Sequence, residues 1–213
     1  MDNHFMLRLA EENTMGGVEN LMNLYWALSG VLAADVPGEV TEVGCYEGRT
    51  AVLLQKVIEH YAPERELHVF DSFEGLPAPG PQDGEFAAAG MNSTGEKELR
   101  ETFKRWDVRE PVIHAGWFED TLAEGLPARL CFAYLDGDLY DSVKVSLEHV
   151  YPRLSPGAIV IVDDYCDRAK NPNAFDGFPG PKQACDEFFA DKPEQVSVLV
   201  GPGLMAAGYF RKS

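Results

Sequence analysis

The run Ala158-Ile159-Val160-Ile161-Val162 constrains the fold of this chain more than any other segment. Five consecutive apolar residues, mostly β-branched, suit a strand covered on both faces, which means a parallel sheet between helices. Asp163 and Asp164 follow at once, so the strand ends in charge. Residues 130 to 136 (LCFAYLD) read as another such strand, also ending in an acid. Shorter strands read at Val40 to Gly44, Leu67 to Asp71 and Pro111 to His114. Helical spacing marks residues 17 to 34, closed by Pro37-Gly38, and residues 48 to 61, about 96 to 106, 141 to 153 and about 181 to 190. Two last strands, near 196 to 200 and 205 to 211, have no helix-length segment between them and should pair antiparallel. The expectation is an α/β chain in one domain over residues 1 to 213. It has a mostly parallel seven-stranded sheet with an antiparallel last strand and helices on both faces. Residues 1 to 36 form its N-terminal helical segment. Residues 75 to 95, rich in Gly, Pro, Ala and Asn without a period, read as a long lid loop.

Composition removes several function classes. The 18 Lys and Arg stand against 35 Asp and Glu, a net charge of -17. No basic cluster is available to displace counterions from a nucleic acid, so none is expected as a partner. No segment reaches the roughly 20 continuous apolar residues that span a bilayer, so no membrane partner is expected either. The opening MDNHFMLRLAEEN carries acids where a signal peptide needs basic and then apolar residues, so a cytoplasmic location is expected. Cys45, Cys131, Cys166 and Cys185 form no CxxC pair or zinc-finger spacing and read as reduced thiols.

Four constellations carry the chemistry. Glu42-x-Gly44-x-x-x-Gly48 lies between a strand and a helix, where glycines let the backbone turn tightly and approach a ligand. The GxGxxG of a dinucleotide site is broken, and Glu47 sits where phosphates would lie, which counts against NAD. Taken alone, the motif also reads as an ordinary strand-to-helix turn. Asp71 ends the second strand, on the rim where open α/β sheets bind ligands. It reads either as an acceptor for two ribose hydroxyls or as a cap for a following helix. Tyr134-Leu-Asp136-Gly-Asp138-Leu-Tyr140 and Ile161-Val-Asp163-Asp164 end two strands in acids on that same rim. Clustered carboxylates repel unless a cation or protons neutralise them, and oxygen ligands select Mg²⁺, Ca²⁺ or Mn²⁺. Asp136, Asp163 and Asp164 read as the cation set; Asp138 and Asp141 read as caps of the 141 to 153 helix. Gly116-Trp117-Phe118-Glu119-Asp120-Thr121 follows the third strand, and its aromatics suit either a planar ring or plain core. His114 reads as structural rather than catalytic. Signatures of hydrolases, metalloproteases and P-loop proteins are missing.

These residues together resemble the macrocin O-methyltransferase family, whose members methylate sugar hydroxyls on macrolide and aminocoumarin antibiotics. The likeness lies in Glu42 to Gly48, the DSFEGLP run within Val69 to Pro77, Gly116 to Leu122, Leu135 to Tyr140 and Ile161 to Tyr165, and covers about Thr14 to Phe189. It implies a Rossmann-like class I methyltransferase fold and two cofactors, S-adenosylmethionine and Mg²⁺ or another divalent cation. The implied cofactor residues are Thr14, Met15, Glu42, Gly44, Tyr46, Gly48, Thr50, Asp71, Ser72, Gly116, Trp117, Phe118, Glu119 and Asp136. Within that set Thr14, Met15 and Thr50 lie by the amino-acid end, Asp71 holds the ribose, and Trp117, Phe118 and Glu119 wall the adenine. Asp136, Asp163 and Asp164 are the implied metal ligands, and Asp136 is also the implied catalytic base. Related catechol enzymes carry a lysine where this chain has Leu139, which favours a sugar acceptor over a phenolic one. The chain looks short for the family. The expectation is O-methylation of a hydroxylated small molecule, a sugar of a natural-product glycoside. A catechol methyltransferase, a nicotinamide oxidoreductase and a non-catalytic ligand-binding protein are the alternatives. Family likeness also suggests a homodimer, with Leu21, Leu24, Tyr25 and Leu28 serving either its interface or the chain's own core.

Overall fold

Residues 3–12, 17–201 and 203–213 are described by a computed structural model. Thr14 and Met15 lie outside them. Seven strands form one sheet: β1 (Glu39–Val43), β2 (Leu67–Asp71), β3 (Val112–Ala115), β4 (Leu130–Leu135), β5 (Leu154–Asp163), β6 (Ser197–Leu199) and β7 (Ala207–Arg211). Their order is β3-β2-β1-β4-β5-β7-β6. The first five are parallel, and β7 runs antiparallel to both β5 and β6. Central β4 has all six residues buried, as its unbroken apolar run requires.

Helices α1 (Asn3–Glu12), α2 (Val18–Ala33), α3 (Arg49–Tyr61) and α4 (Glu96–Trp106) precede β3, and α5 (Phe118–Gly125), α6 (Tyr140–Val150) and α7 (Gly180–Phe188) follow it. From β1 the chain steps outward to β2 and β3, then returns across β1 to β4 and β5. Right-handed crossovers in opposite directions put their helices on opposite faces. Accordingly α3 contacts α2 and α4, whereas α6 contacts α5 and α7. The reversal between β1 and β4 opens a crevice at the carboxyl ends of both strands.

Leu21, Leu24 and Leu28 of α2 are fully buried within the chain's own core. The exposed face of that helix carries Val18, Met22 and Trp26 instead. α1 lies within the 1 to 36 segment expected to be helical, whereas α5 escaped the periodicity reading because it begins inside the Gly116 motif, at Phe118. No described helix is long and apolar enough to cross a membrane.

Candidate active site

Each strand entering the crevice delivers one part of the site. β1 ends at Val43, and Gly44 turns the chain with φ 88°. A Cβ placed on Gly44 would lie 1.9 Å from the Asp136 carbonyl oxygen, so only glycine permits this approach. The Gly44 turn and the start of the acid cluster are thus held backbone to backbone, with the Asp136 amide donating to the Val43 carbonyl at 2.8 Å. Gly48, φ 80°, starts α3.

Asp71 closes the turn from β2. Its Oδ2 accepts the amides of Cys45 at 2.9 Å and Tyr46 at 2.8 Å, and its Oδ1 accepts that of Phe73 at 2.8 Å. The helix-cap alternative for Asp71 fails, because the next helix starts only at Glu96. A carboxylate offers about four acceptor positions, so a further donor fits beside these three amides.

Glu42 sits beneath the turn, fully buried. One carboxylate oxygen accepts from the Thr50 hydroxyl; the other has no partner. Burial pushes its pKa up to about 8, with the Thr50 bond opposing and Asp71 adding to the rise.

A cavity of about 540 Å³ occupies the crevice. Gly44, Tyr46, Thr50, Asp71 and Ser72 line one side, Trp117, Phe118 and Glu119 another, and Asp136, Asp138, Asp163 and Asp164 the far rim. All of the sequence-assigned cofactor residues that are described line it, except Glu42, Gly48 and Gly116, which shape the backbone and floor behind. His114 does not line it: the ring stacks on Phe70 at 4.2 Å and shares a hydrogen bond with His68 at 3.1 Å. Leu139, at the lysine position of the catechol enzymes, is buried away from the cavity.

The acid rim is larger than the trio read from sequence. Carboxylate oxygens of Asp136, Asp138 and Asp164 lie within 4.8 Å of one another. Asp138 therefore faces the cluster and does not cap α6. That helix takes its first amide bond from distant Asp83, whose buried Oδ1 accepts from Tyr140 at 2.6 Å. Asp163 stands beside the same cluster, held by the Tyr134 hydroxyl, and is the strongest electrostatic neighbour of both Asp136 and Asp164. Burial first, and mutual repulsion second, push Asp136 and Asp164 well above the carboxylate range. Burial raises Asp138 to about 6 and, with repulsion from Asp138, Asp163 to about 7. Such a group is neutralised either by protons or by a cation, and three convergent carboxylates with a fourth beside them suit a hard divalent ion. Asp138 and Asp164 also hold left-handed φ values of 58° and 54°, strain of the kind that collects at functional sites.

Periodicity had no signal for several further lining residues. Asn20 of α2 donates to the Tyr134 hydroxyl at 3.0 Å, and its carbonyl oxygen has no partner. Arg49 pairs with Glu47 at 2.7 Å, and its Nε has no partner. Phe86, Phe175 and Phe178 meet over the cavity from two separate loops. Buried polar atoms without partners around one cavity suit a ligand with both charged ends and hydroxyls.

The strand order, the single antiparallel reversal, and a glycine turn facing an acid rim define a class I methyltransferase fold. The family model for Macrocin-O-methyltransferase (TylF) matches residues 8–188, and the chain belongs to that family. The 8-demethyl-8-(2,3-dimethoxy-alpha-L-rhamnosyl)-tetracenomycin-C 4'-O-methyltransferase of Streptomyces olivaceus is 37% identical over 163 residues, covering 72% of this chain and 62% of that protein. Demethyldecarbamoylnovobiocin O-methyltransferase of Streptomyces niveus is 34% identical over 166 residues, 73% of this chain and 63% of that one. The chain thus spans less than two thirds of the length of these relatives. Among solved structures, the O-methyltransferase NovP superposes with a TM-score of 0.79 at 29% identity, covering 94% of this chain and 82% of that chain.

Proposed function

We propose that this chain is an S-adenosylmethionine-dependent O-methyltransferase acting on a sugar hydroxyl of a natural-product glycoside, assisted by a divalent cation. The observation that carries the reading is the four-carboxylate rim facing the Gly44–Asp71 turn across one cavity. Family membership and the named activities of its relatives support the reaction and the acceptor class.

When bound, the sulfonium cofactor supplies an electrophilic methyl group, and the cation supplies a positive charge that favours an ionised acceptor hydroxyl. This chain's own residues do the rest. Asp71, which braces the turn, would accept from the ribose, and Trp117 and Phe118, which line the cavity, would flank the adenine. Asp136 and Asp164 would hold the cation together with Asp163, the third residue read from the sequence, or with Asp138, whose oxygen lies within 4.8 Å of theirs. A carboxylate committed to a cation is a weaker base. Whichever of Asp138 and Asp163 stands outside the cation's ligands would share the proton-acceptor role first assigned to Asp136. General-base assistance of this kind contributes about 10²–10⁴-fold. The 75 to 95 segment supplies Leu76, Pro77, Phe86 and Met91 to the cavity wall and excludes water from it. A homodimer through the exposed α2 face completes the reading, with light scattering as its check.

The test is calorimetric titration of S-adenosylmethionine, S-adenosylhomocysteine and NAD with and without Mg²⁺, followed by mass analysis of reactions with glycoside and catechol acceptors. Binding of the sulfonium cofactor or its product and a 14 Da gain on a glycoside agree with the proposal. NAD binding alone, or methylation confined to catechols, rejects it.

A further inference from the structure

One hydrogen bond ties the first turn of α2 to the middle of the sheet. The Asn20 amide donates through Nδ2 to the Tyr134 hydroxyl at 3.0 Å, across 114 residues of sequence. Both side chains are buried, Asn20 to 5% exposure and Tyr134 fully. α2 packs on β4 and β5, and its other inward residues include Leu21, Leu24 and Leu28. The Asn20 carbonyl oxygen has no partner. A buried oxygen left so costs stability, and leucine, of nearly the same size, would pack there without that cost. The amide therefore answers to the site and not to the core.

The sheet register shows what the bond reaches. Tyr134 pairs with Glu42 on one side and with Ile161 on the other. Alternate residues of a strand share a face, so Asp136 and Asp163 follow Tyr134 and Ile161 on the face that α2 covers. The Tyr134 hydroxyl meets the Asp163 carboxylate there. An ionised carboxylate only accepts, and a phenol has one proton to give. With the amide donating to the phenol oxygen, that proton points to Asp163. The order of donors runs amide, phenol, carboxylate, and it ends at the acid rim. No positive charge takes part: Arg49 is the single Lys or Arg among the described residues lining the cavity, and Glu47 holds it at 2.7 Å. The carboxylate is held in direction while its charge stays available to a cation.

We infer that Asn20 and Tyr134 are positioning residues of the cation site: the amide fixes the phenol, and the phenol fixes Asp163 for the ion. The inference rests on the cation reading above and takes Asp163 as the third ligand. Neither Asn20 nor Tyr134 acts on the ion or the reacting atoms directly. Hydrogen-bond partners of metal ligands are worth about 10–100-fold in metal affinity. α2 therefore does more than cover the sheet, because its first turn sets how firmly the rim holds its cation.

The experiment titrates Mg²⁺ calorimetrically into the full chain at pH 8, as wild type, Asn20→Leu, Tyr134→Phe, the double variant of these two, and Asp163→Asn. Asn20→Leu and Tyr134→Phe should each raise the Mg²⁺ dissociation constant about tenfold. The double variant should lose no more than Tyr134→Phe alone, because the amide acts only through the phenol. Its melting temperature without Mg²⁺ should stay close to that of wild type, since both partners are replaced by apolar groups of like shape. Tyr134→Phe should leave S-adenosylhomocysteine affinity unchanged. Where Asp163→Asn weakens Mg²⁺ binding, unchanged Mg²⁺ affinity in Asn20→Leu or Tyr134→Phe, or losses that multiply in the double variant, overturns the inference and spares the cation reading. A parallel fall in S-adenosylhomocysteine affinity means general damage to the fold and overturns it too. If wild type takes no Mg²⁺, or Asp163→Asn binds it as well as wild type, the cation reading with Asp163 as ligand has failed and the inference falls with it.

Discussion

At Gly44 a single hydrogen decides whether the site exists. Its left-handed backbone and the Asp136 carbonyl pressed against it leave no room for a methyl group. Gly44→Ala should lower unfolding free energy by about 3 kcal/mol or more, from strain and displaced backbone together, as read in urea. Cofactor affinity should fall with it. Asp71→Ala removes three amide bonds as well as the ribose acceptor, so it should raise the cofactor dissociation constant about 10–100-fold and also lower the melting temperature. An unchanged dissociation constant would reject the ribose assignment. Glu42 gives a sharper test through pH. In the folded protein it keeps its proton up to about pH 8, against an ordinary value of 4.5. The stability it contributes is fully present below pH 4.5 and is lost as pH rises to 8, at up to about 1.4 kcal/mol per unit. Glu42→Gln should flatten that slope in ligand-free protein. Parallel pH profiles for the two proteins would mean Glu42 is ionised in the fold.

Elements were legible from sequence where one signal dominated. The strand at 67 to 71 and the helix at about 96 to 106 match β2 and α4 residue for residue, because a short mostly buried run ending in an acid marks one and a strongly one-sided apolar face marks the other. β5 begins earlier than its apolar core, at Leu154, which pairs with Leu130 ahead of a register shift and has no run of β-branched residues after it to announce the strand. The part of the site on strand ends was equally plain: Asp71, Asp136, Asp163 and Asp164 had to share a rim once their strands were parallel. Asp138 was not, because a residue just before a helix reads as its cap, and only the fold reveals that Asp83 has taken that place. Nothing local marks Asp83 itself, which lies 57 residues away from the amide it receives. Its other oxygen accepts the Gly80 amide at 2.8 Å, so one buried carboxylate ties the 75 to 95 segment to α6. Asp83→Ala should cost about 1–2 kcal/mol as a lost cap and raise the acceptor KM several-fold, with cofactor affinity little changed. Equal KM values in steady-state assays would mean the segment keeps its place by its apolar contacts alone.

For the whole molecule, charge is the organising quantity. A net charge of -17 and a rim of four acids oppose the compact state, and the rim is where that opposition is concentrated. Each parallel strand that delivers an acid is buried on both faces, so the sheet cannot relax to separate them. Protons relieve the repulsion at low pH, and a divalent cation relieves it where the acids are ionised. A ligand that binds only the folded chain stabilises it by RT ln(1 + [L]/Kd), about 2.7 kcal/mol at a hundredfold excess over Kd. Mg²⁺ should therefore raise the melting temperature by several degrees at pH 8 and by much less at pH 5, where protons hold the rim. Asp136→Asn and Asp164→Asn should each abolish the Mg²⁺ shift, being central to the cluster from either side. Comparing Asp138→Asn with Asp163→Asn then sorts ligand from base. The ligand variant loses the thermal shift, whereas the base variant keeps it and loses methyl transfer. A shift of equal size in all four variants would place the cation elsewhere and leave the rim to protons.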